Sequence, residues 1–253
     1  KAGIVKPGRP CLSGVRAPEA RAVIERICRE RGAPLRQVDI YYRYHHEPAL
    51  VGTLSARPAR VAVTSRQAWP AMDLGLMGEH QAGNAALAVA AVEDLREQGL
   101  SISDAAVAQG LAEVRWPARL EIMRLQPLVL LDCAHNVASA EALIRTLQSS
   151  FPPRAADGRR FLIFASSKDK DVAGMLRILA PHFDHVGLTR FTPSPRSVAP
   201  EELAQLLPPG TRADVFAAAR QAWEACRAQA TGSDLICVTG SVFLAGELRP
   251  LMA

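Results

Sequence analysis

From residue 128 onward, apolar runs of four or five residues recur with a helical segment between successive runs, and this alternation constrains the fold more than any other feature of the chain. Leu128 to Leu131, Phe161 to Ala165, Val186 to Thr189 and Leu235 to Thr239 read as strands, with a weaker one at Ala213 to Phe216. Helical spacing is expected near 138–149, 171–180, 200–207 and 217–229, and again from Ser241. A strand apolar along its whole length must be covered on both faces, and strands joined through helices run parallel. The expected fold class is therefore α/β: a Rossmann-like, mostly parallel sheet flanked by helices.

The first part of the chain reads differently. Lys6-Pro7-Gly8 is a turn, Pro10 to Val15 a short strand, and Pro18 opens a helix. Val23, Ile24, Ile27 and Cys28 recur at helical spacing until Gly32 stops the run. Residues 38–66 alternate aromatic and β-branched residues with polar ones, as short antiparallel strands do. An Ala-rich helix is expected over 80–98, ended by Gly99, and Ser103-Asp104 caps another to about Leu111. Trp116-Pro117-Ala118-Arg119 breaks the helical pattern and sets the expected boundary between domains 1–115 and 116–253. His45-His46-Glu47 is read as a surface turn, because neighbours on a strand point to opposite faces and do not converge on a metal.

Composition narrows the function classes. The 253 residues are 49% hydrophobic and 22% charged, enough for a substantial core in a soluble protein. No apolar run reaches the ~18 residues needed to cross a bilayer, and no secretory signal opens the chain. The first residue is Lys rather than Met, which points to a piece of a longer protein. Five cysteines without a C-x-x-C pair suit a reduced, cytoplasmic setting. The net charge of +5 comes mostly from scattered Arg, without the clustered basic face of a nucleic-acid binder. It suits small anionic substrates such as nucleotides or polyglutamates.

In open α/β sheets, ligands gather at the carboxyl ends of strands. The residues expected there are Asp132-Cys133-Ala134-His135-Asn136, then Lys168 to Asp171, then Thr189 and Arg190, then Gly240 and Ser241. Asp132 is suited to accept from ribose hydroxyls or to orient a cation; its alternative is a plain loop carboxylate. His135 is suited to bind a carboxylate or move a proton near neutral pH. Ser241 heads a helix whose free N–H groups favour an anion, or is simply its N-cap. Cys133 reads as a small buried residue rather than a nucleophile. Neither G-x-x-x-x-G-K-[ST] nor G-x-G-x-x-G occurs, so no P-loop cradle for a triphosphate is encoded in these residues.

Six segments together resemble one family, the folylpolyglutamate synthases and dihydrofolate synthases of the Mur ligase superfamily. Lys1-Ala-Gly-Ile-Val-Lys-Pro-Gly8 resembles E-K-A-G-I-x-K-P-G, and Gly78-Glu-His-Gln81-Ala-Gly-Asn84-Ala resembles G-x-H-Q-x-x-N-A. Trp116-Pro-Ala-Arg119-Leu-Glu resembles W-P-G-R-x-E, and Asp132-Cys-Ala-His135-Asn136 resembles D-G-A-H-N. Lys168-Asp-Lys-Asp171 and Val238-Thr-Gly240-Ser241 resemble (S/H)-D-K-D and V-x-G-S. The resemblance is to the family's second half. It implies that residues 1–115 are the last part of a central P-loop-type ATPase domain and 116–253 the glutamate ligase domain. It implies ATP-dependent addition of L-glutamate to a folate or dihydropteroate carboxylate through an acyl phosphate, with Mg2+ as the metal. By the same resemblance Asn84, Arg119 and Asp132 contact ATP, and His135 and Ser241 stand near the incoming glutamate and the reaction centre. Lys1 matches a lysine that is carbamylated and helps to organise magnesium. Ala118 and Cys133 replace glycines of these patterns, and Val137 replaces a frequent proline. A monomer is expected, with no nucleic-acid or membrane partner, and these residues alone are expected to show no turnover. The rival readings are a non-catalytic nucleotide- or metabolite-binding α/β module and a Mur-type ligase for another amino acid.

Overall fold

The computed structural model describes residues 2–52, 56–151, 158–192 and 194–252. The chain divides into two compact units, one of Lys1–Ala49 and Arg57–Arg115, the other of Leu50–Ala56 and Trp116–Ala253. Residues 50–56 thus group with the second unit, although sequence order alone places them in the first.

In the first unit, β1 (Cys11–Ser13), α1 (Pro18–Glu30) and β2 (Leu35–Gln37) form a small parallel βαβ unit. Pro18 fits the first turn of α1, where its missing N–H costs nothing. Cys28 and Ala33 bury together with Val5, against Cys11, Ile24, Ile27 and Leu35. An antiparallel meander follows, made of β3 (Arg43–Glu47), β4 (Ala59–Thr64) and β5 (Ala68–Leu74). His45, His46 and Glu47 therefore lie in a strand, correcting the surface-turn reading. Its ladder pairs them with Ala62, Val61 and Arg60, and backbone pairing overrides the polar side chains. Val61 and Val63 of β4 alternate inward. The long α2 (Glu79–Glu97) lies on β3 and β4. Its buried face is Ala82, Ala85, Ala86, Val89 and Ala90, small side chains that let helix and sheet approach closely. Buried Glu93 on that helix accepts from Ser65 Oγ (2.6 Å) and Trp69 Nε1 (2.9 Å). α3 (Asp104–Glu113) begins where Ser103 Oγ accepts from the Ala106 amide at 3.1 Å.

The second unit is a six-stranded sheet in the order β10-β9-β8-β11-β7-β6. It is built from β6 (Glu121–Leu125), β7 (Leu128–Leu131), α4 (Val137–Ser150), β8 (Arg160–Phe164), α5 (Val172–Leu179) and β9 (His185–Leu188). It is completed by α6 (Pro200–Gln205), β10 (Ala213–Val215), α7 (Ala219–Gln229), β11 (Leu235–Thr239) and α8 (Val242–Met252). All pairings are parallel except that of the edge strand β6 with β7. The chain passes from β7 to β8, moves outward through β9 to β10, and returns to place β11 between β7 and β8. Leu130, Leu131, Leu162, Ile163, Phe164, Ile236, Cys237 and Val238 are completely enclosed, as central strands covered on both faces require. This topology sets the carboxyl ends of β7, β11, β8 and β9 side by side, about 4.8 Å from strand to strand.

Candidate functional site at the carboxyl edge of the second sheet

β7 ends at Leu131, and the next residue, Asp132, turns its carboxylate back into the edge. Oδ1 accepts from the Ala134 amide (2.7 Å) and from Thr239 Oγ1 (3.3 Å), and Oδ2 accepts from the Leu120 amide (3.0 Å). The Asp132 amide itself donates to the Val238 carbonyl at 2.9 Å, so β7 and β11 are laced together where they end. Burial pushes the Asp132 carboxyl above its ordinary range; the three hydrogen bonds and the nearby Arg119 charge oppose that push. About four lone-pair sites are available on a carboxylate. Three are in use, so Asp132 has roughly one left for a ligand. The loop-carboxylate role is real, and sequence spacing could not reveal its partner Thr239, 107 residues away.

Arg119 sits on a tight turn. Ala118 and Leu120 on either side adopt left-handed φ angles of 56° and 50°. The Ala118 amide donates to Glu121 Oε2 at 2.9 Å. Glu121 in turn receives both Nε (3.0 Å) and Nη2 (2.7 Å) of Arg249, which hold its carboxyl below the usual carboxylate range. Arg119 is exposed and makes no ion pair among the described residues, so its guanidinium is available to an anion.

His135 is exposed two residues beyond Cys133. Its Nδ1 lies 3.0 Å from the Cys133 carbonyl. A carbonyl only accepts, so Nδ1 carries the proton and Nε2 of the neutral ring keeps its lone pair. Asn136 caps α4: its Oδ1 accepts from the Ser139 amide (2.9 Å), and Ser139 Oγ accepts from the Asn136 amide (3.1 Å). Cys133 is buried and burial raises its thiol, which leaves it a poor nucleophile at neutral pH.

β11 ends at Thr239, followed by Gly240 and Ser241. Gly240 has φ 109°, and a Cβ there would stand 2.3 Å from the Ala165 carbonyl oxygen and 2.7 Å from the Phe164 ring. Only glycine lets the ends of β8 and β11 pass this closely. Ser241 Oγ accepts from the Phe243 amide at 3.1 Å and is 3% exposed, so it caps α8 and leaves its own proton free to donate. Its burial is more complete than the sequence suggests for a substrate-facing hydroxyl. At β8, Asp171 Oδ1 caps α5 through the Gly174 amide (2.8 Å) and Lys170 pairs with Asp169 at 2.8 Å.

Arg119, Asp132, His135 and Ser241 thus share one sheet edge, linked through the Asp132–Thr239 hydrogen bond. Asn84 belongs to the first unit. It lies in the second turn of α2, which begins at Glu79. It is exposed, and its Nδ2 donates to Gln81 Oε1 at 3.1 Å. Lys1 lies outside the described residues. No group of three His, Cys, Asp or Glu able to hold a metal occurs among the described residues. For a nucleotide the fit is better: an uncommitted guanidinium and a spare carboxylate lone pair meet the needs of phosphate and ribose respectively. Sequence reasoning assigned no role to Glu121, Arg249 or Thr239; Glu121 is quoted in the W-P-A-R-L-E segment, but its anchoring task appears only in three dimensions.

The family model for the glutamate ligase domain of Mur ligases matches residues 118–242. The chain is 33% identical over 183 residues to the dihydrofolate synthase/folylpolyglutamate synthase of Bacillus subtilis, covering 71% of this chain and 40% of that protein. It is 31% identical over 247 residues to the Escherichia coli protein of the same description, covering 95% of this chain and 51% of that protein. The structure of Mycobacterium tuberculosis folylpolyglutamate synthase complexed with ADP superposes with a TM-score of 0.86 at 31% identity, covering 100% of this chain and 57% of that one. The chain therefore spans about half the length of the relatives it matches. On these matches and on the shared sheet edge, it belongs to the folylpolyglutamate synthase/dihydrofolate synthase family of Mur ligases.

Proposed function

We propose that this chain forms part of an ATP-dependent ligase that joins the amine of L-glutamate to a carboxylate of a folate or of dihydropteroate. The observation that carries the reading is the convergence of Arg119, Asp132, His135 and Ser241 on adjacent strand ends. ATP, when bound, would supply the phosphoryl group that activates the carboxylate as an acyl phosphate. Arg119 would hold a phosphate oxygen, its direction fixed by the anchored amides on either side. Asp132 would accept from a ribose hydroxyl with its remaining lone pair, and Asn84 would pair with the adenine edge. His135 Nε2 is suited to take the proton from the attacking ammonium, with Nδ1 held by the Cys133 carbonyl. The Ser241 proton and the first free amides of α8 would meet the oxyanion that forms as the amine adds.

In the same reading residues 1–115 are the remainder of the ATP-binding domain and 116–253 the glutamate ligase domain. Mg2+, when bound, would be organised in part by Lys1 in its carbamylated form. The five cysteines are free, in keeping with a reducing cytoplasm, and no helix of the described residues is long and apolar enough to cross a membrane. A monomer is proposed.

The test is glutamate- and folate-dependent ADP release by the full product of the gene that encodes this chain. His135→Ala is expected to lower the rate by about 10²–10⁴. These 253 residues alone, without a P-loop sequence, are expected to release none. A full gene product that shows no glutamate dependence, or keeps its rate in His135→Ala, refutes the reading.

A further inference from the structure

Arg249 stands near the end of α8, and Leu244, Ala245, Leu248 and Met252 on the same helix are buried in the core of the second unit. The base of its side chain is therefore fixed. Its guanidinium reaches the start of the edge strand β6 and grips Glu121 with two bonds, Nε to Oε2 at 3.0 Å and Nη2 to Oε1 at 2.7 Å. A fork on a carboxylate sets the direction of that carboxylate as well as its position. Glu121 Oε2, so directed, accepts from the Ala118 amide at 2.9 Å.

The turn that carries Arg119 depends on such holds. Ala118 and Leu120 both have left-handed φ, 56° and 50°, which a residue with a Cβ adopts only at a cost. Two carboxylates oppose its relaxation, Glu121 at the Ala118 amide and Asp132 at the Leu120 amide. They differ in how firmly each is itself held. Asp132 is enclosed at the strand end and accepts two further bonds, from the Ala134 amide and from Thr239 Oγ1. Glu121 has the longer side chain, is 23% exposed, and has Arg249 as its one ion-pair partner among the described residues. Without Arg249 it is free to turn toward water. The pair is open to solvent on the Arg249 side, at 46% exposure, so it contributes little to stability. What it controls is direction: where the Arg119 guanidinium, set between two held amides, points.

We propose that Arg249 is a positioning residue for nucleotide binding: acting through Glu121, it fixes the turn that aims the Arg119 guanidinium at a phosphate. Arg249 itself touches no ligand. The proposal rests on the ligase reading for Arg119 as the phosphate contact. α8 begins just after Ser241, so one seated helix orders both the hydroxyl at its start and, about 12 Å along its axis, the hold on the Arg119 turn. Loss of the fork leaves the Arg119 charge in place but lets it sample other directions, and the nucleotide then bears the entropy of ordering it.

The experiment is a calorimetric titration with ADP of the full product of the gene that encodes this chain, in a double-mutant cycle of Arg119→Gln and Arg249→Met. Arg249→Lys and Arg124→Met complete the set. Arg124 Nε donates to the Met252 carbonyl at 3.4 Å, so Arg124→Met loosens the same end of α8 without touching Glu121. Arg249→Met is expected to weaken ADP binding about two- to tenfold. Arg249→Lys, which can still offer Glu121 a charged N–H, should weaken it less, and Arg124→Met should leave it unchanged. In the Arg119→Gln background Arg249→Met should change affinity by less than about twofold, because its effect passes through Arg119. Its melting temperature should move little. Unchanged ADP affinity in Arg249→Met, the same loss with or without Arg119, the same loss in Arg124→Met, or no ADP binding by the native product overturns the proposal. A collapsed melting temperature in Arg249→Met, which would make the pair merely structural, overturns it too. Neither folate nor glutamate is present in the titration, so a negative result leaves the ligase reading to its own turnover assay, and a failed turnover assay leaves the measured affinities standing.

Discussion

Gly240→Ala isolates the geometric condition on which the sheet edge depends. The native φ of 109° is one that residues with a Cβ rarely adopt, and leaving glycine there costs about 1–2 kcal/mol. The new methyl would also stand 2.3 Å from a backbone oxygen of Ala165 and 2.7 Å from the Phe164 ring. Both neighbours are completely enclosed, so neither can swing aside, and overpacking of that kind costs about 1–3 kcal/mol. The expected loss is therefore about 2–5 kcal/mol, a large part of the ~5–15 kcal/mol that holds a domain folded. Gly210→Ala is the control: it shares a positive φ, 81°, but has nothing within 4 Å of the added carbon, so it should show the conformational part alone. Urea unfolding followed by circular dichroism measures both variants. If Gly240→Ala loses no more than Gly210→Ala at equal m-value, the close passage of β8 and β11 is not what demands glycine, and the argument fails.

Asp132→Ala strands the amides of Leu120 and Ala134 and is expected to cost about 2–4 kcal/mol in urea unfolding; a loss below ~1 kcal/mol contradicts the fastening role. Because burial raises the Asp132 carboxyl, the folded chain keeps that proton to higher pH than the unfolded chain does. Stability contributed by protonated Asp132 should therefore decline as pH rises from its ordinary value of 3.8 through the raised folded value, then stay level; a pH series in which Asp132→Ala shows the same slope refutes the shift. Ser103→Ala removes the cap of α3 and should cost about 1 kcal/mol, read from thermal melting. Cys133 should resist thiol reagents in the native chain at neutral pH, and rapid labelling there, located by mass spectrometry, would overturn its assignment as an inert buried residue.

Parts of the fold differ in how plainly they are written in the sequence, and the reason is burial. β7, β8, β9 and β11 are covered on both faces, so each reads as an unbroken apolar run. The edge strand β6 is only partly covered, and its Glu121 and Arg124 hide it among loop residues. β5 carries Pro70, which ordinarily argues against a strand, and β2 has only three residues. At the candidate site, the residue types at the strand ends were legible because topology puts every parallel strand's carboxyl end on one edge. Their partnerships were not: the contacts of Asp132 with Leu120 and Thr239, and of Glu121 with Arg249, join positions 12, 107 and 128 residues apart.

The Arg119 turn explains why a family glycine can be replaced here. Ala118 stands where the resembling W-P-G-R pattern has glycine, and it keeps a left-handed φ of 56° at about 1–2 kcal/mol. Its methyl is buried in the core with Leu131 and Cys133, and burying one such carbon contributes about 0.8 kcal/mol. Alanine also has less freedom to lose on folding than glycine, by about 0.5–1 kcal/mol. These two gains offset the conformational cost, while the Glu121 and Asp132 carboxylates hold the flanking amides so that the turn has no relaxed alternative. Ala118→Gly should therefore change stability by less than ~1 kcal/mol in urea unfolding. A gain above ~2 kcal/mol would show that the strain is not offset, and that the anchored amides hold Arg119 in place at a net cost to the fold.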